Sequence, residues 1–377
     1  MSQRSGFQLG PWLLTSKIAA GGMGEVFVGL RAGVGANQVP VAVKALLKHL
    51  SDDDEAVGRF VAEAQLASRM NHPHLVRIID VGVHEGRHWL AMDLVRGVAL
   101  STLLAAAQRA GQQLPVEVLS YLGHCLADGL AHAHALEGPD GSPLELVHRD
   151  VTPHNLLVST EGDVKLTDFG IARVRDGHER TRPGLVHGKL EYLSPEQLEG
   201  LPADRRTDVY AAGVTLFTLA TGQEPFRRST PQLTTRAIRT EEPESLVGLR
   251  PDLPPHFVNA VRKAMARKPS ERFATAAELR NALGAIPGVA QTRLAQLVTS
   301  LCPAEVAQIT EAVAMAEALA PTTKELAPPP PSAPSLPRGR ATMEVEPPKF
   351  SKGPPGWVLP AIGLALLGLA ALLFRWV

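Results

Sequence analysis

The sequence predicts an α+β domain with a helical segment and an irregular tail behind it. Three observations carry this. Near the N-terminus, strand-like runs bracket a glycine-rich stretch, Ile18 to Val26, and the next strand is Val41-Ala42-Val43-Lys44. Helical apolar spacing follows, as in Phe60, Ala64 and Ala67. Third, two polar runs lie further on: His148-Arg149-Asp150-Val151-Thr152-Pro153-His154-Asn155 and Asp168-Phe169-Gly170. They place an amide five positions after Asp150 and a second acid eighteen after it.

These two runs resemble the catalytic and metal loops of protein kinases. Phosphoryl transfer needs an Asp to take the proton of a substrate hydroxyl, and an Asn and a second Asp to hold Mg2+ on the nucleotide. An isolated His-Arg-Asp arises often by chance; the ordered pair at this separation rarely does. The remaining parts follow in family order. Ile18-Ala19-Ala20-Gly21-Gly22-Met23-Gly24-Glu25-Val26 resembles the glycine-rich loop, with Gly21 and Gly24 as its second and third glycines. Val41 to Lys44 resembles the lysine strand, and Glu63 sits where the small-lobe helix carries its Glu. Ser194-Pro195-Glu196 resembles Ala-Pro-Glu, Asp208 to Gly213 the start of the long central helix, and Arg272 the late partner of Glu196. Gly-Gly-Met-Gly-Glu-Val and Ser-Pro-Glu-Gln are similar to the wording of bacterial Ser/Thr protein kinases.

The resemblance covers residues 12–284 and implies a two-lobed protein-kinase fold, a small β-rich lobe on a larger helical one. It implies ATP and Mg2+ as cofactors and transfer of the γ-phosphate to Ser/Thr hydroxyls of proteins, with autophosphorylation. Ile18 and Val26 would cover the adenine from above, and Ala42 and Leu157 would line its pocket. Met92 would stand behind it, with backbone groups of Asp93 and Val95 on the base edge. Ala19, Ala20, Gly21, Gly22, Met23 and Gly24 would fold over the phosphates, since glycine brings backbone N–H groups close. Lys44 would hold the α and β phosphates and pair with Glu63. Asp150 would be the base, and Asn155 and Asp168 the metal ligands. Arg149 would pair with a phosphorylated loop residue, for which Thr181 between Arg180 and Arg182 is the candidate. A dinucleotide fold is disfavoured, because Lys44 stands where a ribose-binding acid belongs.

Three positions depart from the family pattern. Ala19 replaces the first glycine. Thr152 stands where Ser/Thr kinases carry Lys, and Lys189 where they carry Thr. The two exchanges read as a compensating pair, with Lys189 supplying the missing cation. A pseudokinase scaffold that binds nucleotide without transfer is the rival reading. Lys44, Glu63, Asp150, Asn155 and Asp168 together oppose it, since a scaffold has no chemical need of all five. A small-molecule phosphotransferase is a third reading, opposed by the Glu196 and Arg272 pair.

Composition sets the remaining limits. The 377 residues hold one large domain plus appendages or two ordinary domains. Lys and Arg total 38 against 38 for Asp and Glu, so no net field recruits nucleic acid. Cys125 and Cys302 have no metal-ligand spacing, and Met1 to Gly10 is not a signal peptide. The 13 histidines, among them His132, His134, His154 and His187, suggest no metal site; His148 reads as a packed residue beneath the catalytic loop. Residues 287–320 have helical spacing, with Leu294, Leu297, Val298 and Leu301 and then Val306, Ile309 and Val313, and Pro303 suits a first turn. They are expected to pack on the large lobe. Residues 321–356 are Pro-rich, with Pro328 to Pro331 consecutive, and read as a semi-rigid, extended tether. Trp357 to Phe374 is uncharged and apolar, about 18 residues, enough to span ~30 Å of hydrocarbon. It is expected to be a single-pass anchor in the inner (cytoplasmic) membrane. Lys349 and Lys352 against Arg375 leave the preceding domain in the cytoplasm, and no sensor domain is expected beyond the membrane. Ala361 and Ala365 give one small-xxx-small spacing that would allow a homodimer.

Overall fold

The computed structural model describes residues 6–33, 38–169, 190–286 and 288–319, without the side chains of Arg59 and Glu63. The small lobe starts one strand before the kinase resemblance does. β1 (Phe7–Leu9) turns at Gly10 onto β2 (Trp12–Ala20), which is followed by β3 (Gly24–Arg31) and β4 (Val41–Leu46). After α1 (Asp54–Ala67) come β5 (Ile78–His84) and β6 (Arg87–Asp93). The sheet is antiparallel throughout, in the order β1-β2-β3-β4-β6-β5. One antiparallel sheet with one helix matches the expectation.

The alternation of β4 aims the lysine. Val41, Val43 and Ala45 enter a cluster with Trp12, Phe27 and Trp89 on one face. Ala42 and Leu46 enter a cluster with Phe60, Ala64 and Met92 on the other. A strand has period two, so Lys44 shares the face of Ala42 and Leu46. That face is covered by α1. Its N-terminus is capped by Asp53, whose carboxylate accepts from the N–H groups of Glu55 (3.0 Å) and Ala56 (3.2 Å). Ala56, Phe60, Ala64 and Ala67 then form its buried stripe.

In the large lobe, β7 (Gly97–Ala99) leads into α2 (Leu100–Arg109) and α3 (Val116–His134). β8 (Leu156–Ser159) and β9 (Val164–Leu166) complete a three-stranded sheet, β7-β8-β9. Then come α4 (Pro195–Leu198), α5 (Arg205–Thr221), α6 (Pro231–Thr240), α7 (Leu246–Leu249), α8 (Pro255–Ala264) and α9 (Ala276–Ala282). α5 is buried on every side from Thr207 to Ala220, the mark of a helix running through a core.

The segment expected at 287–320 forms α10 (Ala290–Leu301) and α11 (Pro303–Leu319), with Pro303 in the first turn as anticipated. Its packing corrects the expectation. α10 buries Ala290, Leu294, Leu297 and Val298 in the large-lobe core. α11 instead crosses to the small lobe, where Ile309, Ala312 and Ala316 form a cluster with Val28 and Leu30 of β3. The apolar spacing shows which face is buried, but not which surface receives it.

Among the described residues no helix is long and apolar enough to cross a membrane. The expected tether, 321–356, and span, 357–374, lie outside them, as do Thr181, His187 and Lys189.

Candidate active site

The catalytic loop hangs from α5. Asp208 is fully buried, and its carboxylate accepts from the backbone N–H of His148 (2.7 Å) and of Arg149 (2.8 Å). His134 Nε2 lies 2.7 Å from the same carboxylate. Arg149 has φ of +64°, a left-handed conformation that costs a non-glycine residue of the order of 1–2 kcal/mol. The bond to Asp208 fixes it there. The sequence reading placed Asp208 at a helix start and missed this role. The available signal was an acid inside a helix with no polar face.

Asp150 is oriented by Asn155, whose Nδ2 donates to the Asp150 carbonyl (2.7 Å) and to Oδ2 (2.8 Å). His148 lies beneath, as expected, at zero exposure. Its Nε2 is 3.1 Å from the Thr167 carbonyl, and its Nδ1 accepts from the Asp150 N–H at 3.3 Å. A carbonyl can only accept, so Nε2 carries the proton and the ring is neutral. Burial holds its pKa below 6.5 against the opposing pull of Asp208, Asp150 and Asp168.

Asp168, also left-handed at φ +55°, meets Lys44: Nζ to Oδ1 is 2.5 Å. The structure thus joins the lysine of the small lobe to the second acid of the large lobe. Glu63, the other expected partner of Lys44, lies on α1, and its side chain is outside the described residues. A pocket beside this pair is lined by Lys44, Ala64, Val76, Met92, Thr167 and Phe169 among others.

The adenine residues expected from the family register come together in part. Val26, Ala42, Met92, Val95 and Leu157 share one apolar cluster. Ile18 packs in a different one, with Val28, Leu30 and α11; Leu94 belongs to both. The N–H of Asp93 donates to the Arg77 carbonyl (2.9 Å).

The glycine loop divides by role. Ala19 and Ala20 pair with Val26 and Glu25 as the last residues of β2. Gly21 and Gly22 are exposed with open space around them, and the Gly21 N–H closes a turn onto the Gly24 carbonyl at 2.8 Å. Gly24 is buried, and a Cβ there would lie 2.7 Å from the Ala45 carbonyl oxygen. Its side-chain-free state lets β3 approach β4 closely. Met23 packs on the Met92 cluster.

Thr152 stands two residues after Asp150. It is 1% exposed, and its Oγ1 has no hydrogen-bond partner among the described residues. The side chain is buried.

The pair Glu196 and Arg272 forms as anticipated, bidentate at 2.7 and 2.8 Å. Thr207 Oγ1 also donates to Glu196 (2.9 Å), while Arg272 donates on to the carbonyls of Ala266 and Arg267. Burial raises the Glu196 pKa, but the hydrogen bond and charge of Arg272 outweigh it and hold the carboxyl below its usual value.

A two-lobed fold with this loop, this lysine strand and this buried ion pair defines a protein kinase domain. The protein kinase domain model matches residues 12–282, and the chain belongs to that family. The tyrosine-protein kinase MasK of Myxococcus xanthus is 38% identical over 73% of this chain and 42% of that protein. The serine/threonine-protein kinase PrkC of Bacillus subtilis is 35% identical over 63% of this chain and 35% of that protein. For PknA of Mycobacterium tuberculosis H37Rv the values are 35%, 76% and 64%. The chain thus spans between about a third and two thirds of the length of these relatives. Among solved structures, the PknI kinase domain of Mycobacterium tuberculosis superposes with a TM-score of 0.57. It is 28% identical over 78% of this chain and 100% of that one.

Proposed function

We propose that the chain is an ATP-dependent protein kinase that phosphorylates protein Ser/Thr hydroxyls, itself included. The observation that carries this is a pair of contacts, Asn155 on Asp150 and Lys44 on Asp168, tied together where the Thr167 N–H, one residue before Asp168, donates to the Asn155 carbonyl at 2.9 Å. Asp150, held by Asn155, accepts the proton of the acceptor hydroxyl. Lys44 supplies the cation for the nucleotide phosphates, and Gly21 and Gly22 leave room above them. Both amide hydrogens of Asn155 are committed to Asp150, which turns its oxygen the other way. That oxygen and the Asp168 carboxylate are hard donors of the type Mg2+ takes, and one carboxylate plus substrate phosphates is an ordinary magnesium set. Held there, the ion would supply positive charge that offsets the charge of the nucleotide phosphates.

Thr152 favours a second reading of the acceptor. No cation stands two residues after Asp150, and one relative is named a tyrosine-protein kinase. Incubating the purified full chain with labelled ATP and Mg2+, then hydrolysing it to phosphoamino acids, separates the two. Phosphoserine or phosphothreonine, absent in Asp150→Asn, is the expected result. Phosphotyrosine alone would replace the acceptor, and no label at all would favour the nucleotide-binding scaffold.

The apolar run at 357–374 would anchor the enzyme in the inner membrane with its kinase domain in the cytoplasm. Membranes from expressing cells, washed in high salt, should retain the full chain, because apolar burial is not screened. Recovery of the chain in the wash would remove the anchor.

A further inference from the structure

We infer that the helix pair behind the kinase domain is a positioning element for the nucleotide, with Ile309, Ala312 and Ala316 of α11 setting the roof of the adenine pocket through Ile18 and Leu94. This rests on the kinase reading proposed above. α10 and α11 lie beyond residue 282, where the family match ends, yet they complete cores in both lobes.

α10 is fastened to the large lobe. Leu294, Leu297 and Val298 enter its core, and Gln291 Nε2 donates to Asp163 Oδ1 at 3.0 Å on the β8–β9 turn. At the tip of that turn Gly162 has φ of +85°, and a Cβ there would stand 2.3 Å from the Gln291 carbonyl oxygen. The turn is therefore shaped to receive α10. Only Cys302, fully buried, separates α10 from α11. The Val306 N–H donates back to its carbonyl at 3.0 Å, which makes the corner short and internally bonded.

α11 is fastened to the small lobe. Ile309, Ala312 and Ala316 are buried against Val28 and Leu30 of β3, with Ile18 and Leu94 packed on the same cluster. Ser16 Oγ lies 3.6 Å from Met315 Sδ, and Arg96, just after Val95, pairs with Glu317 at 3.3 Å. Two alanines at four-residue spacing let the helix backbone come close to the sheet. Ile18, which the family register expects to cover the adenine from above, packs on the α11 cluster, and Leu94 packs both there and with Met92, Val95 and Leu157. A shift of α11 would therefore move Ile18 relative to Met92 and Val95. Interiors are close-packed, so such a shift is transmitted to the neighbouring side chains.

The test uses the full chain with Ile309→Ala, Ala316→Leu and Ile309→Val. Calorimetry gives the Kd of ADP with Mg2+, and steady-state kinetics give KM for ATP and kcat. The Ala and Leu variants should raise Kd and KM by about fivefold or more, the low end of ordinary coupling between sites. Their kcat should stay within about twofold of wild type, since Asp150 and its loop hang from α5 and not from α11. Ile309→Val, which keeps the branch, should stay within about twofold in all three. If Ile309→Ala does not fold, Met315→Ala at the half-buried edge of the same face is read in its place, with the same expected direction. Unchanged Kd in folded variants whose β2 and β3 amides exchange faster would overturn the inference. So would parallel loss of kcat and affinity, which marks a purely structural role. A wild-type chain that binds neither ADP nor ATP would overturn the kinase reading as well, whereas wild-type binding with unaltered variants overturns only this one.

Discussion

Both N–H bonds of the Asn155 amide end on Asp150, one on its carbonyl at 2.7 Å and one on Oδ2 at 2.8 Å. The residue read from sequence as a metal ligand thus also holds Asp150, the proposed base. The two proposed roles would use opposite ends of one amide and would not compete.

Their separation gives the first prediction. Asp150→Asn should abolish transfer with ADP affinity near wild type, because the base does not hold the nucleotide. Asn155→Ala should lower kcat and also weaken the Mg2+ dependence of nucleotide binding, because it removes clamp and donor together. Binding titrations with and without Mg2+ make the comparison. Equal Mg2+ dependence in wild type and Asn155→Ala would leave Asn155 with the clamp alone.

Asp208 gives the second. Asn in its place has one oxygen where two now accept from His148, Arg149 and His134. One buried donor would lose its acceptor, at about 1–3 kcal/mol. Asp208→Asn should lower the melting temperature and reduce kcat more than it raises the KM for ATP, since the loop, not the nucleotide, loses its anchor. A rise in KM with kcat intact would remove the positioning role.

Much of this site was legible because its chemistry sits in short runs. Asp150 to Asn155 is a local constellation, and Lys44 is placed by the period of one strand. The Glu196 and Arg272 pair, 76 positions apart, was legible only through the family register. Asp208 was not, because its partners on the catalytic loop are backbone N–H groups, which leave no side-chain signature. The packing role of Gly24 was not legible because phosphate approach and strand packing demand the same residue. The surface under α11 was invisible for a similar reason: a buried helical stripe reads alike whichever lobe receives it.

The third prediction concerns pH. His148 is neutral and buried, with its pKa held below 6.5 chiefly by desolvation, and burial lowers His72 and His124 in the same direction. The unfolded chain then binds more protons than the folded one below that value. Stability is therefore full above about pH 6.5 and falls as pH drops through the lowered folded values. Denaturant midpoints measured from about pH 7 to pH 5 should decline, and the decline should be shallower in His148→Gln, whose amide can still donate to the Thr167 carbonyl. An equal slope in the variant would assign the acid sensitivity to other groups.

The buried ion pair supplies the fourth. Arg272 is wholly buried on its side chain, and Glu196 nearly so. Removing one partner strands the other charge in the interior, which costs about 3–5 kcal/mol. Arg272→Met and Glu196→Gln should each destabilise strongly, and the double variant should be less destabilised than the sum of the two. A double-mutant cycle in denaturant reads the coupling directly. Additive losses would mean that the carbonyls of Ala266 and Arg267, not Glu196, are what Arg272 chiefly holds.

Thr152 separates packing from catalysis. From sequence it reads as a lost cation that Lys189 replaces. Its burial gives it a different physical character, because a hydroxyl without a partner among the described residues sits in a closed site. Leaving such a group unbonded costs about 1–3 kcal/mol, and valine has nearly the same shape without the hydroxyl. Thr152→Val should therefore raise the melting temperature, with kcat and the KM for ATP unchanged. Thr152→Lys should do the opposite to stability, because the stem must either carry an ammonium into a dry interior or force its way out through packed neighbours. Thermal melts and steady-state kinetics on the two variants settle the role. A fall in kcat in Thr152→Val, with the fold intact, would show that the hydroxyl takes part in the reaction, and would restore its pairing with Lys189 as the thing to test.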